Sequence, residues 1–204
     1  FHKIALLLKQ NSEEELYAML VRIWPDPIPL LNGNSYNLVQ KHQDLWNLGD
    51  SFTERMTRLD SVTYLPDDIL TKVDRAAMAN SLETRVPLLD HRIVEFAAQL
   101  PLHMKIHQGS GKWVLRELLD RYVPRNLMDH PKSGFGVPIG QWLKGPLREW
   151  AEELLSEQKL EDGGYFDVKQ VRKVWEQHAS GKKNQQYKLW SVLMFQAWLE
   201  SNEL

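Results

Sequence analysis

Leu65-Pro66-Asp67-Asp68-Ile69-Leu70-Thr71-Lys72-Val73-Asp74-Arg75-Ala76-Ala77-Met78 is the stretch on which the fold class turns. Proline suits the first turn of a helix, where its missing N–H costs nothing, and aspartates suit the positive end of the helix dipole. Behind that start Ile69, Leu70, Val73, Ala76 and Ala77 recur at helical spacing. Asp68 and Lys72 stand four apart, as neighbours on a helix surface do, and Lys72 and Arg75 share a face one turn on. An exposed helix with ordinary surface pairs explains these charges as well as a binding face does.

The same period returns on both sides. Ser12-Glu13-Glu14-Glu15 is a capping-box pattern opening an amphipathic run with Leu16, Met19, Leu20 and Ile23 on one side. That run must stop near Trp24, because Pro25, Pro27 and Pro29 follow, and 25–37 reads as loop. Residues 44–59 form one or two helices. Downstream, Asp90 is an N-cap for a helix carrying Ile93, Val94, Phe96, Ala97 and Leu100, which Pro101 ends. Further helices are predicted over 112–122, 140–155, 168–178 and 187–200, the last packing in the core. No alternation supports a sheet. The prediction is a mainly α fold with little or no sheet, as a single domain over 1–204.

The chain has 204 residues, 43% of them hydrophobic and 25% charged, which supplies a core for one domain. A net charge of -2 gives no electrostatic case for nucleic acid or an anionic membrane. With no cysteine, disulfides, thiolate zinc sites and a cysteine nucleophile are excluded, and a reducing cytoplasm fits. No apolar run approaches the roughly 20 residues that span a bilayer. Phe1-His2-Lys3-Ile4-Ala5-Leu6-Leu7-Leu8 has neither a Met start nor the features of a signal peptide, and reads as a cut inside a longer protein.

Three stretches suggest chemistry. In Ser81-Leu82-Glu83-Thr84-Arg85-Val86-Pro87 the Glu83 and Arg85 side chains point the same way if the segment is extended. They either contact a ligand or form a salt bridge that pins the segment between helices. In His130-Pro131-Lys132-Ser133-Gly134-Phe135-Gly136-Val137-Pro138 the periodicity disappears. Gly134 and Gly136 let backbone amides approach an anion, and Lys132 adds a positive charge, a combination suited to phosphate or pyrophosphate; a plain turn is the other reading. Gly109-Ser110-Gly111-Lys112 lacks the preceding strand of a phosphate loop and reads as a flexible helix entry. His42, His91, His103, His107 and His178 are expected to be surface or capping residues, with no metal site built from this chain. Trp142, Trp150, Trp175, Trp190 and Trp198 fall at helical spacings and read as core and interhelical packing.

Taken together and in order, Leu65–Met78, Ser81–His91, the helix opening at Lys112 and Pro131–Pro138 closely resemble the C-terminal synthetase domain of glutamine-dependent asparagine synthetases. The likeness is detailed over about 60–145 and looser elsewhere. It implies the helical C-terminal part of an ATP-pyrophosphatase-type (adenine-nucleotide α-hydrolase-like) domain. In that family ATP and Mg²⁺ activate the aspartate side-chain carboxylate as an acyl-adenylate, and ammonia from glutamine displaces AMP. The family's Ser-Gly-Gly-x-Asp-Ser loop, its Ser-Gly-Glu-Gly-Ser-Asp-Glu motif and its glutaminase cysteine do not occur here. The resemblance puts them upstream, with most of the ATP and Mg²⁺ contacts, so this chain alone is expected to be inactive.

Residue by residue, Lys132 matches the lysine that faces the triphosphate and adenylate. Glu83 and Arg85 match the family's Glu-x-Arg-x-Pro segment near the cleft, joined there by Gly134, Gly136 and Lys72. Asp74 and Arg75 match an Asp-Arg pair read as mainly architectural. Leu88 departs from the family's usual Phe, which calls for a packing adjustment. The implied partners are aspartate, ATP and ammonia, with the upstream half of the same polypeptide; a homodimer is compatible with this. Relatives form other amides or a lactam, so the resemblance does not fix the acyl substrate. A non-catalytic helical interaction module is the competing reading.

Overall fold

The computed structural model describes residues 2–24, 29–31, 38–128 and 136–202. Along the chain run α1 (His2–Leu7), α2 (Glu13–Val21), α3 (Leu38–Lys41), α4 (Gln43–Asn47) and α5 (Phe52–Val62). A π-helical turn, Leu65–Leu70, leads into α6 (Thr71–Met78), and a 3-10 turn, Pro87–Leu89, into α7 (His91–Gln99) and α8 (Leu102–Lys105). A small hairpin, β1 (Ile106–His107) with β2 (Ser110–Gly111), precedes α9 (Trp113–Leu119) and α10 (Arg125–Met128). The chain closes with α11 (Ile139–Trp142), α12 (Arg148–Leu154), α13 (Glu157–Gly163), α14 (Val168–Ala179) and α15 (Gln186–Ser201). The fold is mainly α, as predicted. It divides into two compact units, 1–38 with 135–204, and 39–134.

The first unit holds a continuous core. Asp167 caps α14 by accepting from the Gln170 backbone N–H at 3.0 Å, and Val171, Trp175 and His178 then fall on one buried stripe. α15 is apolar nearly all round and buries Leu189, Val192, Leu193 and Leu199. Leu143, Ala151, Leu154, Leu155, Leu160 and Phe166 complete the cluster with Ile139 and Trp24. Each such Leu contributes about 1.5–3 kcal/mol of transfer free energy. At the rim of this core Arg172 pairs with Glu152 at 2.7 Å, and the Trp175 indole N–H donates to the same carboxylate.

Several details differ from the sequence reading. The helix expected over 140–155 is two helices, because Gly145-Pro146 lies in a turn over 143–147: Pro146 lacks the N–H that a helix interior uses. α13 was not expected. Of the tryptophans, Trp175 is buried and Trp150 and Trp190 are half-buried, but Trp142 and Trp198 are 38% and 51% exposed, so the core expectation fails for those two. At α2, Ser12 accepts from the Glu15 N–H, while the Glu15 carboxylate takes the Asn11 N–H, so the capping box is only half made. A complete box sits instead at Ser51 and Glu54, opening α5.

The unit 39–134 packs mainly at its start. Trp46 and Leu59 are buried, and Phe52 meets Trp46 edge-on at 6.2 Å. From 64 to 128 no residue is buried. α7 leaves Ile93, Val94 and Phe96 between 43% and 60% exposed.

Candidate functional site

Three of the four motif stretches, Leu65–Met78, Ser81–His91 and the helix opening at Lys112, lie on that open part of the chain. The π-helical turn is closed by the Thr71 backbone N–H and hydroxyl, which both donate to the Pro66 carbonyl, the hydroxyl at 2.8 Å. One turn on, Lys72 Nζ meets Asp68 at 2.8 Å, as its spacing predicted. The Asp68 hydrogen bond raises the Lys72 pKa, so the ammonium stays protonated. Asp74 and Arg75 are exposed and form no ion pair among the described residues.

α6 ends where Ser81 takes a left-handed φ of 57°, while Leu82 N–H donates back to the Ala77 carbonyl at 3.0 Å. That turn delivers an extended segment, in which Glu83 and Arg85 face the same way and pair with each other. Their side chains are 71% and 81% exposed, so the pair is not a buried pin between helices. Asp90 caps α7 through the Arg92 N–H at 3.0 Å and binds the Arg92 guanidinium with both oxygens. Those Arg92 contacts hold its carboxyl below the usual range. A cleft of about 420 Å³ opens beside it, lined by Pro87, Asp90, Arg92, Ile93 and Phe96.

Lys132 and Gly134 lie outside the described residues. Gly136 is exposed, and a Cβ built on it would meet nothing within 4 Å among the described residues. Gly109 takes a different part from the one expected. Gln108 (φ 49°) and Gly109 (φ 78°) are the two central residues of the β1–β2 hairpin, and the two positive φ values are those of a type I′ turn. Lys112 does stand at the entry to α9, also with a left-handed φ. Among the described residues no three His, Asp or Glu side chains gather where a metal could sit, and no helix is long and apolar enough to cross a membrane.

His178 corrects the histidine expectation: it is fully buried. Its Nδ1 accepts from the Gln185 N–H at 3.2 Å, and its Nε2 lies 3.3 Å from the Gly140 carbonyl. Burial, helped by the nearby Lys144 ammonium, pushes its pKa down, so the ring is neutral. The signal was there to read, since position 178 continues the stripe of Val171 and Trp175. Gly136, Pro138, Gly140, Lys144, His178 and Gln186 line part of a second cleft of about 420 Å³.

Set against known proteins, this chain matches the family model described as asparagine synthase over residues 2–200. It is 34% identical over 168 residues to asparagine synthetase (glutamine-hydrolyzing) 1 of Bacillus subtilis, covering 82% of this chain and 26% of that protein. It is 39% identical over 145 residues to a putative asparagine synthetase (glutamine-hydrolyzing) of Mycobacterium bovis, covering 71% of this chain and 22% of that one. The chain thus spans about a quarter of the length of these relatives. No solved structure shows a significant match.

Proposed function

The chain belongs to the asparagine synthase family, and from that premise we propose that it forms part of an ATP-dependent amidotransferase that makes asparagine from aspartate. The supporting observation is that three of the four matching motif stretches run along 64–128, where no residue is fully buried. On this reading Lys132 is the catalytic residue, and Lys72, Asp74, Arg75, Glu83, Arg85, Gly134 and Gly136 line the cleft.

The chemistry balances as two substitutions. An oxygen of the aspartate side-chain carboxylate attacks the α-phosphorus of ATP, and the bond to pyrophosphate breaks. Negative charge grows on the departing pyrophosphate, and the Lys132 ammonium lowers that barrier because it is already in place as the charge forms. Ammonia released from glutamine then attacks the acyl carbon, AMP leaves with the bonding electrons, and the nitrogen gives up one proton to solvent to leave the neutral amide. Mg²⁺, when bound, would neutralise phosphate charge, and on this reading it is held mainly by the upstream part of the synthetase. That part also supplies the nucleotide loop, and the 204-residue chain alone does not turn over.

The test is Lys132→Ala in the full-length synthetase. Loss of a charge-stabilising group lowers kcat by about 10²–10³-fold, with the thermal midpoint measured alongside to separate turnover from folding. Unchanged turnover sinks the assignment of Lys132. Asparagine formation by the isolated chain sinks the assignment of the missing part.

A further inference from the structure

Gln196 is buried on α15, at 5% exposure, and only half of its amide is used. Its Nε2 donates to the carbonyl of Leu154, the last residue of α12, at 3.3 Å. A carbonyl can only accept, so this contact holds the amide nitrogen there and turns Oε1 the other way. Gln196 Oε1 has no hydrogen-bond partner among the described residues. A buried acceptor in that state calls for a donor. On the Oε1 side stands Gly163, whose position lacks a side chain: a Cβ built there would lie 3.9 Å from Gln196 Oε1. Both residues line a cleft of about 270 Å³, together with Lys159, Asp162 and Glu200 and the apolar walls Leu154 and Leu199.

The charge of the cleft decides what kind of donor suits it. α12 ends at Leu154, α13 at Gly163 and α15 one residue beyond Glu200, so three helices bring their carbonyl ends to it. A helix C-terminus favours a cation, and none of the three has a basic residue in its last turn. The side chains act in the same direction. Lys159 Nζ is shared between Glu153, at 3.1 Å, and Glu200. The Glu200 hydrogen bond raises the Lys159 pKa, so the group stays an ammonium. Asp162 accepts from the Gln158 amide at 2.8 Å and forms no ion pair among the described residues. One ammonium thus stands among three carboxylates, and the cleft is negative. Those carboxylates do not converge where a metal ion could sit. Leu154 and Leu199 offer an apolar wall to a hydrocarbon stem, and the volume lies just under the roughly 300 Å³ at which pockets take drug-sized ligands.

We propose that the cleft where α12, α13 and α15 end binds the ammonium group of a short aliphatic amine, with Gln196 Oε1 and Glu200 as its acceptors. The site uses none of the motif residues and stands whether or not Lys132 is catalytic. Two probes test it by titration calorimetry on the full-length synthetase: n-butylamine, and butyltrimethylammonium, which keeps the stem and the charge but has no N–H. Wild type, Glu200→Gln, Gln196→Met and Lys159→Met are compared, with thermal midpoints measured alongside. Wild type binds n-butylamine in the millimolar range or tighter, and butyltrimethylammonium about ten-fold or more weakly. Glu200→Gln and Gln196→Met each weaken n-butylamine about ten-fold, the loss of one hydrogen bond to a charged group. Lys159→Met tightens it, because the competing ammonium is gone and Glu200 is released. Absence of n-butylamine binding to wild type overturns the proposal, as does equal affinity for the two probes or an unchanged affinity in Glu200→Gln. Weaker binding by Lys159→Met overturns it too, since the lysine would then be the anchor of an anion. If Gln196→Met does not fold, Glu200→Gln and Lys159→Met, both at partly exposed side chains, decide the matter.

Discussion

Residues 136–202 and residues 64–128 are both helical, yet they treat their apolar side chains in opposite ways. In the first, Leu143, Leu154, Leu160, Trp175, Leu189 and Leu193 close over one another at 1% exposure or less. In the second, α7 has as clear an apolar stripe in its sequence, but Ile93, Val94 and Phe96 remain open. Amphipathic periodicity reports that a helix has a face to cover; it does not say that the same stretch provides the cover. Three of the stretches that resemble the synthetase motifs fall in the open region, and on the function proposed here the remainder of the synthetase closes over them.

The largest effect separates the two regions outright. Trp175→Ala removes a buried indole and costs about 3–5 kcal/mol, read as a lowered urea midpoint by circular dichroism. Should it cost no more than a surface change, residues 136–202 are not the packed region.

A smaller, pH-dependent effect sharpens the same contrast. The folded-state pKa of His178 lies below its ordinary 6.5 because burial opposes the charge. The unfolded chain then takes the proton first, so the contribution is fully present above that value and is lost as pH falls through it toward the folded-state value. Urea midpoints of wild type should drop more steeply between pH 8 and pH 5 than those of His178→Gln. Parallel profiles would mean that the ring is not held neutral.

The smallest effect belongs to the open region. Phe96 is 60% exposed, so Phe96→Ala changes the stability of the 204-residue chain by less than about 0.5 kcal/mol. A loss comparable to that of Trp175→Ala would erase the distinction between the regions.

Much of this was legible in the sequence, because long periodic helices announce themselves. The start at Pro66, the cap at Asp90, the pairing of Asp68 with Lys72 and the two last helices all follow from local rules. What escaped did so for physical reasons. α13 buries Leu160 alone of its seven residues, too little for a period to show. The strands of the hairpin are two residues long, too short to alternate, and Gln108-Gly109 is a less obvious type I′ pair than Asn-Gly. The Pro146 break could have been read and was not. His178 is buried rather than a surface or capping residue, and Val171 and Trp175 mark its face. Nothing local links position 178 to position 140, so the contact between His178 and the Gly140 carbonyl is a product of tertiary packing.

The π-helical turn at Leu65–Leu70 carries a last consequence. A wide turn inserts one extra residue into what is otherwise an almost unbroken helical rod from Phe52 to Met78. Each residue advances an α-helix by about 100°, so the insertion shifts the phase of everything after it. The side that buries Leu59 and Thr63 is thereby uncoupled from the side on which Lys72 and Arg75 stand. Removing a single residue from that turn would rewind the rod to regular pitch and swing the charged side of α6 about a quarter-turn away, with every side chain except the deleted one still present.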